Sequence, residues 1–190
     1  MTHFNQVNLD QVVNALHNGD VIAYPTEGVF GVGCDPDNEM AVKRLLQVKN
    51  RSVDKGLILI AASYQQVLPY IDESKLTKKQ LTEIKTTWPG PVTWVMPVST
   101  KTSKLVTGKF NSVAVRVTDH PLVKYLCTLF DKPITSTSAN LSGMPPCMTT
   151  SEVRNQLGQS GVVILSGETG GRNKPSEIRD AVSGKILRQG

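Results

Sequence analysis

Residues 49–62 read KNRSVDKGLILIAA, and this stretch decides both the fold class and the charge problem of the chain. Its second half, LILIAA (residues 57–62), is apolar throughout, the pattern of a strand buried on both faces inside a layered sheet. Its first half carries Lys49, Arg51 and Lys55 among small polar residues, so cations stand where that strand begins. In extended chain Lys49 and Arg51 lie on one side, about 6–7 Å apart, which suits two oxygens of one polyphosphate. Arginine supplies a planar fork and lysine a point charge, a common pairing around phosphate. A solvated surface turn is the competing reading of so short a pattern.

Upstream, Leu9, Val12, Val13 and Leu16 keep helical spacing, and Asn18-Gly19 closes that helix as a left-handed cap. VIAY (residues 21–24) predicts a buried strand stopped by Pro25, and residues 29–34 a second. In the second, Gly31 and Gly33 allow close approach of another backbone or a ligand. Asn38 is a good N-cap for a helix through Met40, Val42, Leu45, Leu46 and Val48. Downstream, Thr77 with Gln80 and Thr149 with Glu152 form capping boxes, the second helix stopping at Gly158. WPGP (residues 88–91) is a rigid turn; VTWVMP (92–97) and SVAVRV (112–117) are strands. Pro121 opens a helix to about Phe130, with His120 before it in a capping role. A strand from Pro133 runs into the hydroxyl-rich TSTSAN (135–140). VVIL (162–165) is a strand, GETGGRNKP (167–175) a loop, and the tail a hairpin folded at Ser183-Gly184. About eight or nine strands and five or six helices, without strict alternation, predict an α/β or α+β class with a mixed sheet. Residues 8–190 read as one domain, since 190 residues suffice for one core and no repeat or linker interrupts them.

Composition narrows the classes. Hydrophobic residues at 39% and charged residues at 19% exclude disorder, while 5% aromatics leave the core to aliphatic runs. No uncharged apolar stretch approaches the ~18 residues of a membrane span. The opening MTHFNQVNLDQ has neither basic n-region nor apolar h-region, and the three cysteines (Cys34, Cys127, Cys147) fit no zinc or redox spacing. Reduced thiols and a cytoplasmic location are therefore expected. The net charge of +5 points to anionic partners, nucleotides or RNA, without choosing between them. Gly31-Val32-Gly33 lacks the third glycine of a dinucleotide fingerprint, and GETGGRNKPS has no Gly-Lys-[Ser/Thr], so neither familiar phosphate loop is present. A Gly-x-Ser-x-Gly elbow is absent, and His3, His17 and His120 leave few bases for a triad.

What remains is polar residues at element ends. Thr135 to Asn140 place four hydroxyls and an amide at a strand end, a favoured ligand position, although local backbone bonding explains hydroxyls equally well. Thr26 and Glu27 follow another strand, and Arg116 and Arg188 are cations in or beside strands, where burial without an anion is costly. Converging on one sheet edge, these groups would make a cationic cleft that works by positioning and charge neutralisation.

Taken together, YPTEGVFGVGCDP, KNRSVDKGLILIA, WPGPVTWV, SVAVRVTDHP, TSTSAN and PSEIRD…ILRQG resemble the YrdC-type family, the threonylcarbamoyl-AMP synthases of tRNA modification. The resemblance runs from about residue 8 to 190 and implies an open twisted α/β sheet, flanked by helices, with a cationic concave surface. It implies that L-threonine, bicarbonate (or CO2) and ATP give threonylcarbamoyl-AMP and pyrophosphate, with Mg²⁺ expected. The product would serve a separate transferase complex modifying position 37 of ANN-decoding tRNAs. The family's KxR motif falls on Lys49 and Arg51 as catalytic and ATP-binding residues, and its SxN motif on Ser138 and Asn140. Ser176 and Arg188 join the ATP set, and Thr26 and Arg116 are assigned to threonine, Arg116 to its carboxylate. No protein metal ligands are implied. Two departures stand out: Gly28 replaces a side chain common in relatives, and SVDKG follows the KxR pair where many relatives have proline directly after the arginine and a KP pair further on, leaving the role of Lys55 open. The alternative class is an RNA-binding factor acting on tRNA or ribosomal RNA precursors, for which Lys43, Arg44, Lys49 and Arg51 speak.

Overall fold

The computed structural model describes residues 6–172 and 174–190. His3 with the start of the amino-terminal stretch, and Asn173 within the GETGGRNKP loop, lie outside the described residues. Nine strands occur among those described: β1 (Ile22–Pro25), β2 (Phe30–Gly33), β3 (Ile58–Ala61), β4 (Val92–Pro97), β5 (Ser112–Val117), β6 (Ile134–Ser138), β7 (Val163–Ile164), β8 (Glu177–Asp180) and β9 (Ile186–Arg188). They form one open sheet in the order β7-β1-β2-β6-β3-β5-β4-β8-β9. The pairs β1–β7, β3–β5 and β4–β8 are parallel and the others antiparallel, so the sheet is mixed as the uneven alternation predicts. The helices are α1 (Gln6–His17), α2 (Glu39–Val48), α3 (Tyr64–Val67), α4 (Lys78–Thr86), α5 (Lys104–Thr107), α6 (Pro121–Phe130) and α7 (Thr150–Leu157).

Strand alternation divides the apolar residues between two layers. Val21, Ala23, Phe30, Val32, Leu59 and Val115 face one side, where α2, α4 and α7 supply Val42, Leu45, Ile84, Val153 and Leu157. Ile22, Tyr24, Ile60 and Ile134 face the other, against Leu9, Val12 and Leu16 of α1 and Leu122, Leu126 and Phe130 of α6. Each buried Val, Leu, Ile or Phe among these contributes about 1.5–3 kcal/mol relative to exposure, which is how a chain poor in aromatics is held together. On this second face α1 and α6 pack against β1, β3 and β7. Over β4, β5 and β8 the second-face residues line a cavity instead.

The helix ends follow the sequence signals. Asn38 accepts the Ala41 N–H at 3.1 Å, both capping boxes are closed, and Gly19 takes φ +78°. Three local expectations need correction. Pro25 does not stop β1 but pairs with Phe30; β7 reaches only Ile22 and Ala23, so no N–H is required of the proline on that side. Gly158 caps α7 with ordinary φ −59°, because a 3-10 turn continues to Ser160 and the left-handed residue is Gly161. His120 holds the N-cap position of α6 without a side-chain cap bond, its ring Nε2 lying 3.1 Å from the Glu168 carbonyl.

The sheet changes partners along β6. Thr137 and Ser138 pair with β2, whereas residues 134–136 pair with β3. Beyond β2 one backbone bond continues, from the Thr135 N–H to the Cys34 carbonyl at 3.0 Å, and side chains serve the other two groups: the Cys34 N–H donates to Thr135 Oγ1 at 2.8 Å, and the Tyr24 hydroxyl donates to the Thr135 carbonyl at 2.9 Å. The Tyr24 ring crosses Gly31 to get there, and a Cβ on Gly33 would stand 1.7 Å from the Thr135 oxygen. The close approach of another backbone expected at the two glycines is found at Gly33, whereas at Gly31 the neighbour is a side-chain ring. Gly33→Ala is expected to cost about 3 kcal/mol or more, because backbone rather than a flexible side chain must move. Urea denaturation measures this, and a loss below about 1 kcal/mol would show that β6 yields freely.

Candidate active site

The turn after β1 starts the site. Thr26 closes it, with N–H and Oγ1 both donating to the Val29 carbonyl, at 3.1 and 2.7 Å. Glu27 then reaches β5, accepting from Arg116 Nη1 at 2.7 Å and from Thr118 Oγ1 at 2.6 Å. On a flat sheet with strands about 4.8 Å apart, β1 and β5 would stand roughly 19 Å from each other. A twist of about 20–25° per strand, over the four steps between them, turns β1 nearly across β5 and brings its turn over the second face. The polar groups thus meet over a concave face, not at one sheet edge as the strand-end argument expects. Burial alone would push the Glu27 carboxyl up; the Arg116 charge and the Thr118 hydrogen bond outweigh it and hold the group below its ordinary value.

Under that turn lies a cavity of about 640 Å³. Thr26, Arg51, Arg116, Ser138, Ser176 and Arg188 all line it. Lys49 and Asn140 stand directly behind Ser138 without lining it. The Lys49 ammonium donates to the carbonyls of Ser138 (2.6 Å) and Asn140, and to Asn140 Oδ1 at 2.9 Å. Asn140 Oδ1 also accepts from Ser138 Oγ at 2.7 Å, while its Nδ2 donates to the Leu141 and Met144 carbonyls. The extended i, i+2 geometry read for Lys49 and Arg51 does not occur. Lys49 is the helical C-cap of α2 and Asn50 turns left-handed at φ +44°, so the two side chains leave the chain on different courses. Arg51 goes to the cavity, its Nε and Nη2 resting on the Gly56 carbonyl at 3.3 and 2.9 Å. Burial, then the neighbouring Arg51 charge, pushes Lys49 down to about 8.

At the other wall Arg188 clamps Ser176, donating from Nε and Nη2 to its carbonyl at 3.2 and 2.7 Å. Ser176 Oγ lies 2.9 Å from the hydroxyl of Thr93, which is buried. Burial and the nearby Arg116 charge both lower Arg188, which places the two guanidiniums in one electrostatic field.

Three more cations stand on the lining: Lys55, whose role the sequence left open, and Arg172 and Lys174, which sequence reasoning missed. The last two come from the GETGGRNKP loop, set aside for lacking a phosphate-loop signature. It is a strap across the β1 turn, with Gly170 N–H and Arg172 N–H donating to the Thr26 and Glu27 carbonyls at 2.9 Å each. A Cβ on Gly28 would stand 2.7 Å from the Lys174 carbonyl oxygen, which explains the missing side chain there. Against six lining cations there are two carboxylates, Glu27 and Asp180. Asp180 already accepts from the Val182 and Ser183 N–H groups and the Ser183 hydroxyl. With both acids committed, and no group of three His, Cys, Asp or Glu side chains able to hold a metal among the described residues, this donor set does not fit a protein-held Mg²⁺. The Lys43 and Arg44 side chains cited for RNA are paired with Glu39 at 3.9 Å and Asp20 at 3.1 Å.

Residues 14–190 match the sequence model of the Sua5/YciO/YrdC family, described as "Telomere recombination". The threonylcarbamoyl-AMP synthase of Vibrio parahaemolyticus is 68% identical over 183 residues, 96% of this chain and 99% of that protein. The protein of the same name from Photobacterium profundum is 66% identical over the same shares. Among solved structures, P. abyssi Sua5 complexed with L-threonine superposes with TM-score 0.83 at 32% identity, covering 90% of this chain. The match spans 50% of that longer protein. E. coli YciO shares the fold, with TM-score 0.84 at 19% identity over 97% of this chain and 90% of its own. A match across residues 14–190, with identity of this order along nearly the whole length, makes the chain a member of the Sua5/YciO/YrdC family.

Proposed function

We propose that the cavity joins L-threonine, bicarbonate (or CO2) and ATP into threonylcarbamoyl-AMP and pyrophosphate. One observation carries this reading: six cations, with both neighbouring carboxylates already committed, surround a single cavity bordered by the hydroxyls of Ser138 and Ser176. Such a field holds a polyanion and stabilises charge that grows on it. Curated relatives that share 61–68% identity, and carry the name threonylcarbamoyl-AMP synthase, support the same chemistry.

In this reading bicarbonate takes up a proton and loses water to give CO2; the threonine amine attacks CO2, the N–C bond of a carbamate forms as one C–O π bond opens onto oxygen, and the nitrogen sheds one proton. A carbamate oxygen then attacks the α-phosphorus of ATP in line, and the bond to the pyrophosphate oxygen breaks as the new P–O bond forms. The overall step is a nucleotidyl transfer. Arg51 and Arg188 neutralise the phosphates, with Ser138 and Ser176 as hydrogen-bonding partners. Lys49 joins them by exchanging one carbonyl for a phosphate oxygen, a charged and stronger acceptor. Until then it and Asn140 hold the Ser138 loop in place. Thr26 and Arg116 border the amino-acid end, with Arg116 facing the carboxylate. Mg²⁺ would enter with the nucleotide, not on protein ligands.

Residues 8–190 act as one domain, supported by the sheet's continuity from β7 to β9. The protein works in the cytoplasm and hands its product to a separate transferase that modifies tRNA. Among the described residues no helix is long and apolar enough to cross a membrane. No observation favours the RNA-binding reading over the enzyme. Mass-spectrometric detection of the adenylate, omitting threonine, bicarbonate and ATP in turn, tests the assignment. Salt-sensitive RNA binding without turnover would replace it.

Arg51→Ala is expected to lower kcat/KM for ATP by about 10²–10³-fold while leaving the urea midpoint nearly unchanged. Retention of more than a tenth of the activity would remove Arg51 from the phosphates. For Lys49 the sign runs with protonation: its ammonium persists below about pH 8 and is lost above it. The alkaline limb of log(kcat/KM) for ATP should therefore bend near pH 8, and a profile flat to about pH 9.5 would show that the charge is not required.

A further inference from the structure

Glu27 has a side chain that is only 7% exposed, and its carboxylate is the single acidic group in contact with the cavity's arginines among the described residues. Sequence spacing gave it no role. Its two oxygens are used differently. One takes Arg116 Nη1, and the other takes the Thr118 hydroxyl, which in turn accepts the His120 N–H at 3.1 Å. Thr118 N–H is itself tied to the Ala61 carbonyl at 3.0 Å, so the carboxylate is braced from the end of β3 as well as from β5. The Glu27 carbonyl takes the strap's Arg172 N–H. Side chain and backbone of one residue thus join the cavity floor to its cover.

What this leaves on Arg116 is chemically specific. A guanidinium presents two parallel N–H bonds along its Nε–Nη2 edge, and that edge is the one Glu27 does not use. Among the described residues neither Nε nor Nη2 has a hydrogen-bond partner, and Nε is buried with none. Arg116 as a whole is 6% exposed, so an unmet donor there is costly until an acceptor reaches it, and a planar anion meets both donors of that edge at once. A carboxylate has that shape.

We propose that Glu27 is a positioning residue that sorts the two anionic ends of the substrates, holding Arg116 for the amino-acid carboxylate and away from the phosphates. This rests on the reading of Arg116 as the carboxylate's partner. Two physical effects act together. The first is preorganisation: an arginine side chain carries several free rotations, and a braced carboxylate removes them before the substrate arrives. The second is charge. Arg188 and Arg116 lie in one field, and a triphosphate entering it would take whichever cations are unneutralised. The Glu27–Arg116 pair is neutral overall, so it repels the triphosphate no less than it attracts it, while its free edge still offers two directed hydrogen bonds. Arg51, Arg188, Lys55, Arg172 and Lys174 keep their charge for phosphate.

The discriminating variant is Glu27→Gln, with L-threonine and pyrophosphate each titrated calorimetrically against the whole chain. Loss of the carboxylate should weaken threonine binding about tenfold and leave pyrophosphate binding unchanged or several-fold tighter, because Arg116 joins the phosphate field. Weakening of both ligands alike would mean a purely structural part and overturn the proposal, as would unchanged threonine affinity. Breaking one member of a buried pair strongly destabilises, so the variant is at risk of not folding. Thr118→Val covers that case: it keeps both charges and removes the brace, together with the hydroxyl that accepts the His120 N–H. Threonine should then bind about 2–5-fold more weakly with pyrophosphate unaffected, and equal loss of both, or of neither, refutes the role. Arg116→Gln separates the two claims. If it weakens threonine and neither Glu27→Gln nor Thr118→Val does, Arg116 keeps its assignment and Glu27 loses its own. If it leaves threonine binding intact, the carboxylate assignment falls and the sorting role with it.

Discussion

The geometry turns on the point where the Thr135 carbonyl oxygen occupies the space that Gly33 leaves empty. Backbone hydrogen bonds alone would carry β6 along β2 as a flat ladder. Instead the hydroxyls of Thr135 and Tyr24 satisfy the Cys34 N–H and the Thr135 carbonyl, and β6 is free to finish its pairing with β3. A buried backbone group that loses its ladder partner must find another, and here both replacements come from side chains. Burial pushes the Tyr24 hydroxyl upward, so it stays protonated and remains a donor. Two half-sheets with different neighbours, twisted against each other, enclose a hollow that a flat sheet would not have.

That hollow explains why residues far apart in sequence act as one group. Glu27 and Arg116 are 89 positions apart, and Lys49 and Ser138 likewise. The first pair crosses from one half of the sheet to the other. The Glu27–Arg116 bond spans the concave face, while the Lys49 contacts fasten the end of α2 to the end of β6. The strap, residues 167–172 and 174–175, lies over the first of these bonds and depends on the absence of a side chain at Gly28. The cavity walls are therefore held by polar contacts on the open side and by aliphatic packing on the helix-covered side.

Much of the fold was legible because its signals are local. The apolar run before Ala62, the capping residues at Asn38, Thr77 and Thr149, and the turn at Gly184 each depend on a few neighbouring residues, and each is found in place. The cavity-lining positions of Thr26, Arg51, Arg116, Ser138, Ser176 and Arg188 were reachable through the family motifs combined with the rule that strand-end polar groups face ligands. Side-chain partnership was not legible. Nothing in KNRSVDKG shows that Asn50 turns left-handed, so a spacing argument built on extended chain misdirected Lys49. Glu27 and Thr118 lay in plain view within PTEG and VTDHP, but a carboxylate 89 residues from its guanidinium has no sequence signature. The strap was overlooked because a search for phosphate loops rewards backbone patterns, whereas here side-chain cations from an irregular loop do the lining.

The distribution of charge then follows from the distribution of restraint. A lysine with three carbonyl acceptors around its ammonium is well solvated by protein, so burial lowers its proton affinity without leaving it unmet. Arg116 is the opposite case: its charge is answered by Glu27, yet two of its donors are not. One cation is satisfied in hydrogen bonds but not in charge, the other in charge but not in hydrogen bonds. Phosphate oxygens, rich in charge and indifferent to direction, suit the first kind of site, and a planar carboxylate, with its two directed acceptors, suits the second. A cavity with both at its margins can hold two different anions without exchanging them, as joining an amino acid to a nucleotide requires.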